Sequence, residues 1–225
     1  MNEHASRTSS NRDLIEALIQ DLKPVAPVRL VREILRAALI QLSVVALEML
    51  LTGWHLAGSE RLNDPAFLGL LLALLLGAAT SAVTMSRLSI PGRGASSATR
   101  TGVLVLPLLL AGFVVAVSPW GGSWSGLTAV LVEGFGCTRS TILMAAPAWL
   151  AGLASLRRLR PLDPLRVGLF CATTALLLAA VAVQMSCPSC DSWHLALSHY
   201  VPLLVAAWVA AMVSPLFLKT ADVRG

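Results

Sequence analysis

Long apolar runs separated by short polar breaks dominate this chain. A helix rises 1.5 Å per residue, so about 20 apolar residues, within a range of about 17 to 25, cross the hydrocarbon of a bilayer. Six stretches meet that length or approach it: residues 34–53, 66–85, 102–118, 141–156, 165–185 and 200–218. The fourth is short and contains Pro147, the third contains Pro107, and the sixth contains Pro202 and Pro215. Proline is tolerated in membrane helices because neighbouring groups satisfy the carbonyls it frees. The connection over residues 119–140 is mostly Gly, Ser and apolar residues, and a short surface helix is expected within it, over residues 127–135.

The polar stretch ahead of the first run has its own pattern. In "SSNRDLIEALIQDLKPVAP", Ser10 with Asp13 three residues later forms a helix-starting box. Leu14, Ile15, Leu18, Ile19 and Leu22 then repeat as one apolar face, and Lys23-Pro24 closes the helix. About 12 residues make a helix that is marginal alone in water, so this face needs a surface to lie on. Helices that bind lipid surfaces usually carry a basic polar face. Here Asp13, Glu16 and Asp21 stand against Arg12 and Lys23. A groove on a protein partner fits better than a membrane surface.

Composition agrees with the pattern. Of the 225 residues, 56% are hydrophobic and 13% charged, and the mean hydropathy is +0.75. A soluble domain is nearer a quarter charged, so the chain is expected to be integral to a lipid bilayer. The opening 33 residues lack the short apolar core and cleavage site of a secretory signal, so the first span is expected to stay as an anchor. The net charge of +5 is set by topology. Fifteen of the 17 basic residues fall before or just inside the start of the first run, between the second and third, between the fourth and fifth or just inside the start of the fifth, or after the sixth. The opposite connections carry only Arg61 and Arg139. Basic residues stay in the cytoplasm, so both termini are expected inside. Charges spread this way form no basic groove, and nucleic acid is not an expected partner. Trp54, Trp120, Trp124 and Trp193 fall in or beside the outer connections, where amphipathic rings sit at the interface, whereas Trp149 and Trp208 are expected to pack inside. The expected fold is all-α. It is a polytopic membrane protein with six transmembrane helices over residues 34–218, a cytoplasmic amphipathic segment over residues 1–33 and a cytoplasmic tail over residues 219–225. No connection is long enough for a soluble catalytic domain, and neither an enzymatic activity nor a resident cofactor is expected.

Candidate chemistry concentrates in "QMSCPSCDSWHLALSH", residues 184–199, with the spacing C-x2-C-x3-H-x4-H. Cys187 and Cys190 follow the fifth run at its outer end, and Cys137 precedes the fourth run on the same side. In a Gram-negative cell that side is the oxidising periplasm, where disulfides persist. Three outer cysteines allow either a disulfide plus a free thiol or a metal site. C-x2-C suits thiol exchange or soft metals. Cys190 and His194 are four apart and would share a helix face, while His199 is five further on and would point elsewhere unless the chain bends. The gap between the Cys and His pairs is too short for a zinc finger. Cys171, in mid-span, is expected to be inert packing. In the first span Gln41, Glu48 and, at its outer end, His55 lie near one stripe. A structural hydrogen bond to another helix is the favoured reading, against a proton path. Ala73, Gly77 and Ser81 make a small-residue face for close helix packing.

At this point the chain resembles the NrsF family of integral-membrane anti-sigma factors. The resemblance is carried by "DLIEALIQDLKPVAPVR" before the membrane runs, an isolated cysteine before the fourth, and a cysteine followed by "HLALSHYVP" before the last. It implies that the inner segment holds an extracytoplasmic-function sigma factor, through the face of Leu14, Ile15, Leu18, Ile19 and Leu22. It also implies a bacterial inner-membrane location and two outer cysteines, matching Cys137 and Cys187, that sense toxic metals or oxidative stress. Cys190 stands outside the family pattern, which leaves open whether Cys187 or Cys190 is the sensing thiol. A soft cation such as cadmium would prefer these thiolates and draw on His194 or His199. The alternative is a membrane thiol-disulfide oxidoreductase that uses the periplasmic CPSC motif and a quinone.

Overall fold

The computed structural model describes residues 29–51, 62–90, 127–187 and 194–218, with the isolated residues Glu16, Ile19, Thr101, Val105 and Leu109. Five α-helices are described: α1 (Leu30–Leu51), α2 (Pro65–Leu88), α3 (Leu127–Leu156), α4 (Pro164–Ser186) and α5 (Val201–Leu218). A short 3-10 turn, Arg157–Leu159, ends α3, and a π-helical turn, Leu195–Tyr200, leads into α5. Among the described residues there is no strand. Five segments are long and apolar enough to span a bilayer: Val31–Leu51, Phe67–Leu88, Gly134–Leu159, Pro164–Ser186 and Leu195–Leu218. The other expected span, residues 102–118, lies outside the described residues except for Val105 and Leu109, both at helical positions. Of the amino-terminal amphipathic helix only Glu16 and Ile19 are described. Both are at helical positions and exposed, while Leu14, Ile15, Leu18 and Leu22 lie outside the described residues.

One expectation needs correction. The surface helix over residues 127–135 and the short fourth span are not separate, because α3 runs through both for 30 residues. Residues 134–140, GFGCTRS, looked like a break because of their glycines and Arg139. Each helical glycine costs about 1 kcal/mol against alanine, which tertiary packing overrides. Cys137 therefore stands within a helix and not ahead of one.

Helix α4 is the axis of the bundle. Asp163 caps its start by accepting a hydrogen bond from the Arg166 amide at 3.0 Å, with Pro164 at the first position. Nearly the whole helix is buried, whereas the others bury only one side. Its small residues, among them Gly168, Ala172, Ala175, Ala179 and Ala180, let four helices approach closely. Each neighbour meets it at a distinct contact. From α1, Gln41 is fully buried and donates through Nε2 to the Cys171 carbonyl at 3.1 Å. From α2, Ser81 donates to the Phe170 carbonyl at 2.9 Å, on the small-residue face expected to pack. From α3, a Cβ added at Gly152 would lie 2.7 Å from Cys171 Sγ. From α5, Ser214 lies so near Gly168 that an added Cβ there would be 2.1 Å from its Cβ and Oγ. Cys171 is buried as expected. Trp149 packs between the two core clusters, edge-on to Phe217 at 5.9 Å. Trp208 was expected to pack inside but is 52% exposed on the outward face of α5.

The helix ends sort into two poles. Ala37, Met85, Leu153, Leu156, Val167 and Leu218 form one cluster at the arginine-rich pole. There Glu33, in the first turn of α1, is buried and accepts a hydrogen bond from Arg158 Nη2. The opposite pole carries cysteines and histidines.

Candidate functional site

Three elements deliver four donor side chains to one place at that pole. Cys137 comes from α3, about three turns after its start at Leu127. Cys187 is the C-cap of α4, where the chain turns extended and its amide still donates to the Val183 carbonyl at 2.8 Å. His194 and His199 flank and occupy the π turn. The thiol sulfurs lie 3.6 Å apart and are not bonded. Cys187 Sγ lies 3.3 Å from His194 Nε2, and the two imidazole centroids are 5.3 Å apart. One donor atom from each of the four residues lies within 4.8 Å of the other three. Cys187, His194 and His199 are buried, at 3%, 4% and 0% exposure, and Cys137 is half-buried.

His199 was expected to point elsewhere unless the chain bends, and a π turn supplies that departure from the straight helix. Side chains advance about 100° per residue on an α-helix, so residues five apart diverge by about 140°. In a π turn the hydrogen bonds run from i to i+5. The Val201 amide donates to the Ala196 carbonyl in that register, and His199 closes over His194.

The turn is held on two sides. Thr138 on α3 donates through Oγ1 to the Ser198 carbonyl at 2.7 Å. Gly134, one helical turn earlier, lets the backbone of α3 touch the turn. A Cβ there would sit 1.7 Å from Ser198 Oγ and 3.6 Å from His194 Nδ1. On the other side Tyr200 is fully buried and donates to Gln184 Oε1 of α4 at 3.1 Å. None of these supports was expected from the sequence. The legible sign was a pair of histidines five apart in an apolar context.

The donor set suits a soft or borderline cation. A tetrahedral centre with metal–sulfur bonds of about 2.3 Å and metal–nitrogen bonds of about 2.0–2.1 Å has edges of roughly 3.3 to 3.8 Å. The sulfur–sulfur and sulfur–nitrogen distances above already fall in that range, and the widest pair would need to close by about 1 Å. A disulfide, at about 2.05 Å, would need a larger approach of the two sulfurs. His199 distinguishes the two chemistries. Both its ring nitrogens are buried and have no hydrogen-bond partner among the described residues. Leaving a polar group so costs about 1–3 kcal/mol. A metal would employ one of these nitrogens, and a disulfide would employ neither.

Cys190, His55, Trp54, Trp120, Trp124 and Trp193 lie outside the described residues. Gln41 makes the interhelical hydrogen bond favoured for it, and Glu48, half-buried, stands two turns further along α1. A family model described as NrsF, negative regulator of sigma F, matches residues 18–219. No curated protein and no solved structure matches the chain.

Proposed function

The chain belongs to the NrsF family of negative regulators of sigma F, and from that premise we propose that it is a membrane-bound anti-sigma factor with a metal- and redox-responsive outer site. Residues 10–33 hold an extracytoplasmic-function sigma factor at the cytoplasmic face, chiefly through Leu14, Ile15, Leu18, Ile19 and Leu22. The arginine-rich pole faces the cytoplasm and the cysteine pole faces the periplasm, following the distribution of basic residues. Cys137, Cys187, His194 and His199 form the sensor, which takes up a soft cation or loses its thiols to oxidation. Cys190 lies close in sequence to Cys187 and is a further candidate thiol. In this reading the chain is a regulator and catalyses nothing.

The observation that carries the sensor assignment is His199, fully buried among three other donors, with neither ring nitrogen partnered among the described residues. The bundle supplies a route from sensor to segment. The donors sit on α3, α4 and the turn heading α5; α3 and α4 pack against α1, and Leu156, Val167 and Leu218 share one core cluster with Ala37 at the other pole. Glu33, the last residue of the sigma-binding segment and in the first turn of α1, is then joined by Arg158 to the end of α3. A ligand shifts such an equilibrium only by binding one packing better than another. A site that draws three helices together meets that condition.

The test is the double variant Cys137→Ser, Cys187→Ser in cells. Cadmium or oxidant should no longer induce the sigma factor's target genes, while the protein still inserts in the membrane and still represses. Normal induction in that variant would refute the sensor assignment.

A further inference from the structure

The π turn has a cause in the sequence that bears on which residues build the sensor. In an α-helix the Ser198 carbonyl would accept from the amide of residue 202. Residue 202 is proline, which has no amide hydrogen and whose ring clashes with the carbonyl four residues back. The chain escapes by widening. The Val201 amide reaches back five residues to Ala196, and the freed Ser198 carbonyl accepts from Thr138 Oγ1 at 2.7 Å. Membrane helices satisfy proline-freed carbonyls by such side-chain donors and local π adjustments. The widened register swings His199 onto the face of His194, 5.3 Å between centroids.

We propose that Pro202 and Thr138 are positioning residues of the sensor: together they hold the π turn that makes His199 its fourth ligand. This rests on the metal-site reading given above. Pro202 excludes the α register, and Thr138 removes the cost of leaving it. With both removed, the α register becomes available, and His199 leaves the site by about 140° relative to His194. The cluster then keeps two sulfurs and one imidazole. Thr138 donates to the Ser198 backbone carbonyl, which is not a ligand atom, so the effect of losing that bond travels through the turn.

The experiment uses the full-length protein purified in detergent, with cobalt(II) alone as the probe, because its visible spectrum reports coordination number and thiolate count. The variants are Pro202→Ala with Thr138→Val, His199→Ala, and the combination of all three. Supporting groups of metal sites typically change affinity by about 10- to 100-fold, and a loss in that range is expected for the Pro202/Thr138 pair. Its cobalt spectrum should match that of His199→Ala, and adding His199→Ala to it should change neither spectrum nor affinity further. Thr138→Ser, which keeps a hydroxyl, should behave as wild type. Retention of the wild-type spectrum and affinity by the Pro202/Thr138 pair, or a full further loss on adding His199→Ala, overturns the proposal while the metal reading stands. Wild-type protein that binds no cobalt overturns both. Formation of a Cys137–Cys187 disulfide with diamide checks that each variant is folded. If the pair fails that check, the contrast between Thr138→Val and Thr138→Ser decides the question in the same way.

Discussion

The contact between Glu33 and Arg158 should limit how much of the outer signal reaches the sigma factor. Glu33 has only 8% of its side chain exposed, against 41% for Arg158, and the other cation paired with it among the described residues is Arg32, with Nε at 3.9 Å. Arg158 is also oriented by its Nε bond to the Ser155 carbonyl at 3.1 Å, so it extends the end of α3 rigidly onto the first turn of α1. Arg158→Ala leaves a mostly buried carboxylate with little compensation. Hydrogen bonds to charged groups contribute about 1.5–3 kcal/mol. The partial exposure of Arg158 places the pair at the lower end, about 1.5 kcal/mol, or about tenfold in an equilibrium. Coupling that passes through this pair cannot exceed its worth. The assay is the affinity of purified protein for its sigma factor with and without cadmium, for wild type, Arg158→Ala, Glu33→Gln and the double variant. The ratio of the two affinities should fall by up to about tenfold in each single variant and no further in the double, the signature of two residues acting as one contact. An unchanged ratio in Arg158→Ala, or losses that multiply in the double variant, would refute the argument.

Three further outcomes are expected. Leu18→Asp should release the sigma factor without loss of membrane insertion, since one buried leucine is worth roughly 1.5–3 kcal/mol; pull-down from solubilised membranes checks it, and unaltered binding would remove this helix as the contact. Gly168→Val should lower the thermal stability of the detergent-solubilised protein, because even a Cβ there falls 2.1 Å from Ser214 and overpacking costs about 1–3 kcal/mol; unchanged melting would mean that α5 does not sit on α4 as described. Reporter fusions after Ser59, Gly92, Gly122, Pro161 and Ser192 should alternate out, in, out, in, out, and two adjacent fusions on one side would break the topology.

The local signals in this sequence were strong where a single helix decides the matter. Apolar runs of membrane length predicted α1, α2, α4 and α5 to within a few residues, because the requirement for internally satisfied backbone groups in lipid leaves little choice but helix. The small residues of α2 announced close packing, and the polar stripe that includes Gln41 announced an interhelical hydrogen bond, because both consequences follow from residue type. The break read between residues 135 and 141 failed for the converse reason. Glycine weakens a helix locally and Arg139 interrupts the apolar run, and only the neighbours α4 and the π turn determine whether the helix continues.

The site was half legible. Cys137, Cys187, His194 and His199 could each be named from the sequence as chemistry-bearing residues on the outer side. Their convergence could not, because Cys137 and Cys187 are 50 residues apart and meet only when α3 packs along α4. The sequence by itself determined an all-helical chain with thiols and imidazoles at one end and arginines at the other, since hydropathy and charge act residue by residue. Tertiary structure alone decided that α4 would be the buried axis, that Glu33 would find Arg158, and that His199 would face His194. The last of these depends on where Thr138 of a neighbouring helix stands to receive the carbonyl that Pro202 sets free.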